Sequence, residues 1–212
     1  MNAHGLLAVH GLTDNFLSYK ILKPLSFTLP IGGSIFLQGA NGSGKTTLLH
    51  LLATLVSSEG DVFFSGSHIS ADLDLYKENI AFLGHKVGLI PYLTVKQQLK
   101  WLRSFANAKS ANENNYSNAL EKLGLLKLLS ANTASLSTGQ QRKLAFAGLL
   151  MQGAKIWLLD EPFANLDKTA IAEVLTLCDA FCRAGGGIIY SSHIDIMINA
   201  QTTTLVMPAE DE

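Results

Sequence analysis

Gly39-Ala40-Asn41-Gly42-Ser43-Gly44-Lys45-Thr46 is the stretch from which the fold of this chain is read. Glycines at positions 39, 42 and 44 carry no Cβ, so the backbone N–H groups running through Ala40, Asn41 and Ser43 can close around a phosphate chain. Lys45 then supplies a cation for the β- and γ-phosphates of a nucleotide. Thr46 opens a helix, followed by Thr47, with its hydroxyl placed for Mg²⁺ and the positive end of the helix dipole facing the phosphates. The flanks agree. Ser34-Ile35-Phe36-Leu37-Gln38 is a short apolar β-type run, and Thr47-Leu48-Leu49-His50-Leu51-Leu52-Ala53 is leucine-rich, as a helix packed under a sheet is. Strand, glycine loop and helix together make the context that a phosphate-binding P-loop requires.

A chain of 212 residues with 48% hydrophobic content is long enough to bury a sizeable core and too apolar for disorder. The formal net charge of −1 and a pI near 6.6 give no general drive toward nucleic acid or an anionic membrane surface. No apolar run approaches the roughly 20 residues of a membrane helix. Met1-Asn2-Ala3-His4-Gly5 lacks the basic segment of a signal peptide, which leads to the expectation of a cytosolic protein. The mean hydropathy of +0.23 leaves two readings open, an apolar surface covered by a partner or a tightly packed core. Cys178 and Cys182 lie four apart in a helix-type stretch. They read as two reduced, partly buried thiols on one face, since a zinc site needs more ligands nearby.

Ahead of the P-loop, Leu6-Leu7-Ala8-Val9 and Leu25-Ser26-Phe27-Thr28-Leu29 read as strands of an antiparallel layer, and Asp61-Val62-Phe63-Phe64 reads as a returning strand. Phe16 and Tyr19 lie between the first two, and Phe16 is the preferred candidate to stack on a purine base. Ile80-Ala81-Phe82-Leu83 is a further strand, ending in a loop with His85. Spacing of helix type follows in Val95–Leu102 and Ala119–Leu123, separated by the polar Ala111-Asn112-Glu113-Asn114-Asn115, and reads as a helical insertion. Leu136-Ser137-Thr138-Gly139-Gln140-Gln141 opens another helix. Such a start either binds an anion or is no more than a serine N-cap.

Ile156-Trp157-Leu158-Leu159 is a buried-strand run that ends in Asp160-Glu161, with Pro162 preventing its continuation. In a chain with a P-loop the two acids are expected to divide the work: Asp160 to hold Mg²⁺, directly or through water, and Glu161 to polarise the water that attacks the γ-phosphate. Ala164-Asn165-Leu166-Asp167 turns into a helix. Gly185-Gly186-Gly187 leads to a last core strand, Ile188-Ile189-Tyr190-Ser191-Ser192, which His193 ends. A short helix-like piece and Thr203-Thr204-Leu205-Val206-Met207 follow, and no C-terminal regulatory domain is expected.

These motifs, in this order, resemble the nucleotide-binding domain of an ATP-binding cassette (ABC) transporter over nearly the whole chain. Gly39 to Thr46 is similar to the Walker A loop, and Ile156 to Glu161 to Walker B. Leu136 to Gln140 resembles the LSGGQ-type signature, with Thr138 in place of a glycine. Asn165-Leu166-Asp167 resembles the D-loop and His193 the switch histidine. The resemblance implies an α/β P-loop NTPase with a mostly parallel core sheet, an N-terminal antiparallel β layer and an inserted α-helical subdomain. A single ABC ATPase domain then spans residues 1–212, with the core and β layer in 1–89 and 136–212 and the helical subdomain at about 90–135. It also implies ATP and Mg²⁺ as ligands, Lys45, Glu161 and His193 as catalytic residues, and a nucleotide-sandwich homodimer. In that dimer Ser137, Gly139 and Gln140 of one copy touch ATP bound at the P-loop of the other, near Asp167.

The family usually carries a glutamine where this chain has His85. Gly84-His85-Lys86-Val87-Gly88-Leu89, with Leu93-Thr94-Val95, Gly139-Gln140-Gln141-Arg142-Lys143 and Gly186-Gly187-Ile188-Ile189, is similar to the ATPase subunits of the cytochrome c maturation haem exporter. That resemblance implies integral membrane subunits as partners, no nucleic acid, and a peripheral place on the cytoplasmic face of the bacterial inner membrane. ABC ATPases for other cargo, and soluble non-transport ABC ATPases, are the alternatives.

Overall fold

The computed structural model describes residues 5–15, 22–104, 119–199 and 201–208. Phe16, Tyr19 and the Asn-rich segment 111–115 lie outside them. In chain order the elements begin with β1 (Leu7–Asp14), β2 (Leu25–Leu29), β3 (Ser34–Gln38) and α1 (Lys45–Leu52). Then come β4 (Ser58–Phe64), β5 (Ser67–His68), α2 (Leu73–Glu78), β6 (Ile80–Leu83) and α3 (Val95–Arg103). The last third holds α4 (Thr138–Gln152), β7 (Ile156–Leu159), α5 (Lys168–Arg183), β8 (Gly187–Ser191) and β9 (Thr202–Val206).

The core sheet has the order β6-β7-β8-β3-β9 with every pair parallel. Its strands are apolar on both faces because both faces are covered. Ile35 and Leu37 of β3, Ile156 and Leu158 of β7 and Ile189 of β8 join one cluster with Leu48, Leu49, Leu51 and Leu52 of α1 and with β1 and β4. The alternate residues Phe36, Trp157, Leu159, Ile188 and Tyr190 join the other, with α4 and α5. The period of two thus sorts each strand between two cores. In the second core Trp157 stacks on Phe181 with ring centroids 3.9 Å apart.

The second sheet, β2-β1-β4-β5, is antiparallel. β1 runs five residues beyond the apolar segment Leu6–Val9, to Asp14. The alternation breaks at His10 and Gly11 because three steps along β1 (Val9 to Leu12) oppose two along β2 (Phe27 to Leu25), a bulge that returns Leu12 to the buried side. Gly60 completes the bulge on β4: its φ is 97° and a Cβ there would lie 2.5 Å from the carbonyl oxygen of Gly11.

Helix α3 starts in a capping box between Thr94 and Gln97 and packs against α4. Both cysteines of α5 are fully buried, deeper than the half-buried face expected from the sequence. Burial pushes both thiols up, that of Cys182 to about 11, which keeps them protonated and unreactive at neutral pH. The short helix-like piece expected after His193 is irregular chain. Ser192 and Asn199 take the N–H groups of Ile194 and Gln201 on their side chains, which competes with helical pairing.

Candidate active site

Parallel strands end together, so the loops after β3, β6, β7 and β8 meet at one edge of the core sheet. β8 lies between β3 and β7, which sets the serine-ended strand Gly187–Ser191 between the P-loop and the two acids. Gly42 and Gly44 both have φ 86°, and a Cβ on Gly42 would meet nothing, so glycine is required there by the backbone and the loop stays open outward. Gly44 serves as N-cap of α1, which begins at Lys45, one residue before the expected Thr46. Lys45 is buried. Its ammonium donates to the carbonyls of Gly39 (2.8 Å) and Ala40 (2.7 Å), which leaves one of its three protons for a phosphate oxygen.

The Thr46 hydroxyl donates to Asp160 Oδ2 at 3.0 Å, a pair of oxygens from α1 and from the end of β7. Asp160 Oδ1 accepts from Ser191 Oγ at 2.7 Å, and the same hydroxyl accepts the Glu161 N–H at 2.9 Å. Ser191 therefore fixes both acids from the neighbouring strand. Glu161 has a left-handed φ of 50° immediately before Pro162, a conformation that costs on the order of 1–3 kcal/mol and persists only where surroundings impose it. Its carboxylate accepts the His193 N–H at 3.1 Å and faces His193 Nε2 at 3.5 Å. Its side chain is 15% exposed against 62% for His193.

Behind the acids, Arg142 of α4 is 4% exposed. It donates from Nε to Pro162 O, from one terminal nitrogen to Gly84 O and His85 O, and from the other to Asp160 O and Glu161 O. Burial lowers its pKa, while the Asp160 and Glu161 carboxylates act in the opposite sense.

Lys45, Thr46, Asp160, Glu161 and His193 line one open cavity of about 410 Å³, together with Asn41, Gly42, Gly44, Thr47 and His85. Gly39 and Ala40 serve it through the carbonyls that hold Lys45. Two features fit it to MgATP. The Ser43 hydroxyl is buried in the loop without a hydrogen-bond partner, a group that a phosphate oxygen satisfies. Thr46 and Asp160 present adjacent oxygens, the donor type a hard cation takes.

Four residues singled out from the sequence are elsewhere in the protomer. Ser137 and Gln140 form a capping box at the start of α4, each side chain accepting the other's backbone N–H, and Gly139 follows in its first turn. Asp167 caps α5, taking the Ala170 N–H at 2.7 Å. None of them lines the cavity. Two residues that sequence reasoning passed over, Ser191 and Arg142, hold the acids in place. Arg142 was within reach, because it falls on the helical stripe of Ala145, Phe146 and Leu149, and a cation in a buried stripe marks a site.

A family model described as ABC transporter matches residues 22–164. The chain is 34% identical over 195 residues to the cytochrome c biogenesis ATP-binding export protein CcmA of Legionella pneumophila (strain Lens), covering 92% of this chain and 96% of that one. It is 38% identical over 192 residues to the protein of that name from Bordetella bronchiseptica, covering 90% and 84%. Among solved structures it resembles a putative ABC transporter ATP-binding protein from Pyrococcus furiosus with a TM-score of 0.79 at 26% identity, over 94% of this chain and 96% of that one.

Proposed function

We propose, for a chain that belongs to the ABC transporter family, that it is the ATP-hydrolysing subunit of a membrane complex in cytochrome c biogenesis. It couples hydrolysis to haem export or to release of a haem-loaded chaperone. The observation that carries the catalytic part is the bonded series Thr46, Asp160, Ser191, Glu161 and His193, which crosses three adjacent strand ends and, except for the buried Ser191, lines the P-loop cavity. Loop N–H groups and Lys45 hold the phosphates of ATP. Thr46 and Asp160 would hold Mg²⁺, which supplies charge neutralisation on the β- and γ-phosphates. Glu161 takes the proton of the attacking water, and His193 fixes the direction of that carboxylate through its N–H and ring.

The biogenesis role is supported by the names of relatives that match over most of both chains. Among the described residues no helix is long and apolar enough to cross a membrane. In this reading the chain works at the cytoplasmic face of the inner membrane beside separate spanning subunits, as the names of its relatives suggest for an ATP-binding export protein. Pull-down from solubilised membranes, with and without a non-hydrolysable ATP analogue, tests this. Membrane subunits of cytochrome c maturation should copurify; a permease for another cargo in their place would overturn the biogenesis assignment and leave the ATPase intact.

The active unit in this reading is a sandwich of two copies. Ser137 is exposed at the N-terminal end of α4, where the positive end of the helix dipole favours an anion, which supports contact with nucleotide on the second copy. Ser137→Asp separates cap from contact, because aspartate caps a helix as well as serine does. The melting temperature should hold. Turnover should fall about 100-fold, as a carboxylate set against a γ-phosphate costs several kcal/mol. Wild-type turnover in that variant would remove Ser137 from the partner's site.

A further inference from the structure

We propose that Arg142 is a positioning residue for Glu161, setting the rate of the chemical step although it touches no nucleotide. The proposal rests on Glu161 being the base that receives the proton of water.

A guanidinium has five N–H donors in a rigid planar fork. In this chain each of the five meets a backbone carbonyl, and the acceptors are Gly84, His85, Asp160, Glu161 and Pro162. Among the described residues no carboxylate takes any of these N–H groups, although Asp160 and Glu161 are close enough to favour the charged form. An arginine serving as an ion-pair partner would direct its fork at a carboxylate. This one is directed at the peptides that carry the two acids and at the loop that carries His85.

The peptide at Glu161 requires such a grip. A left-handed backbone before a proline relaxes unless both of its peptide groups are held, and here Ser191 holds the N–H while Arg142 holds the C=O. Without the fork the Glu161–Pro162 peptide is free to swing and carries the Glu161 carboxylate away from the water, while the Asp160 carboxylate stays on Thr46 and Ser191. The P-loop is untouched, since Lys45, Thr46 and the glycines share no hydrogen bond with Arg142. The loss therefore falls on turnover and spares binding. Lysine cannot substitute: its ammonium is a point donor that reaches one loop and not the three carbonyls of Asp160, Glu161 and Pro162 together with the His85 loop.

Arg142→Gln and Arg142→Lys in the full chain test this by steady-state ATP hydrolysis, binding of a fluorescent ATP analogue and thermal unfolding, each repeated in a Glu161→Gln background. Displacing a catalytic group by about 1 Å costs about 100-fold in rate, and kcat should fall by that order in the glutamine variant while analogue affinity stays within about twofold. The lysine variant should recover thermal stability and recover little of the rate. In the Glu161→Gln background the Arg142 change should have no further effect. A folded Arg142→Gln protein with unchanged kcat would overturn the proposal. So would an equal loss of rate with Glu161 already replaced, or a lysine variant that restores full turnover. Wild-type turnover in Glu161→Gln alone would overturn the base assignment, and this proposal with it.

Discussion

Replacement of Glu161 by glutamine is expected to lower kcat for ATP hydrolysis by about 10²–10⁴-fold, the share that a positioned general base supplies. The substitution keeps size and shape, so the turn before Pro162, the Ser191 bond to the 161 N–H and the Arg142 bond to the 161 carbonyl all survive. One oxygen remains to accept the His193 N–H. What disappears is the capacity to receive a proton. Nucleotide affinity should stay near that of the native chain, because in the proposed site the phosphates are held by the loop N–H groups and Lys45, none of which bonds to Glu161. In the sandwich reading a slowed base also prolongs the ATP-bound pair, so gel filtration with MgATP should show a dimer in the variant where the native chain turns over and separates. Hydrolysis at the native rate would assign the proton to another group, and His193, with its ring 3.5 Å from the same carboxylate, would be the first to examine.

The fold was legible where a buried strand is one uninterrupted apolar run. β3, β6 and β7 coincide to the residue with Ser34–Gln38, Ile80–Leu83 and Ile156–Leu159, because polar or glycine residues close each run where the strand leaves the core. β1 was legible only in its first half, because a bulge hides the continuation of its alternation and the pairing that reveals it comes from β2 and β4. The irregular segment 193–199 differs from the expected helix-like piece for a related reason. Its short polar side chains bond to nearby backbone, and composition alone does not tell that from a helical turn. Within the site, the P-loop residues could be named because the chain lists them consecutively. Ser191 could not, since it meets Asp160 across 31 positions through strand order that no local pattern encodes. The signature shows its cap in the protomer and nothing more, since any second role for Ser137 belongs to a surface one copy does not contain.

Asp160→Asn separates metal charge from hydrogen-bond geometry and should be nearly as damaging as the loss of Glu161. Asparagine occupies the same volume, and the hydroxyls of Thr46 and Ser191 can each donate or accept, so the amide finds partners at both positions now filled by Oδ2 and Oδ1. The fold and the Ser191 bond to Glu161 should persist, with a melting temperature close to native. The anion beside Thr46 is gone, and a neutral amide is a poor ligand for a small, strongly hydrated divalent cation. Phosphoryl transfer depends on that cation for neutralising the β- and γ-oxygens, so kcat should fall by about 100-fold or more at ordinary Mg²⁺. The decisive readout is the Mg²⁺ titration. If Asp160 supplies charge to the cation, the concentration for half-maximal rate moves upward by about tenfold or more, an increment on the order of 1.4 kcal/mol, and high Mg²⁺ restores part of the turnover. If Asp160 instead acts only by holding Ser191 and the Glu161 peptide, the half-maximal concentration stays fixed while kcat drops. The same titration on Arg142→Gln should give the native half-maximal value, because the Asp160 carboxylate keeps its bonds to Thr46 and Ser191 when the guanidinium is gone.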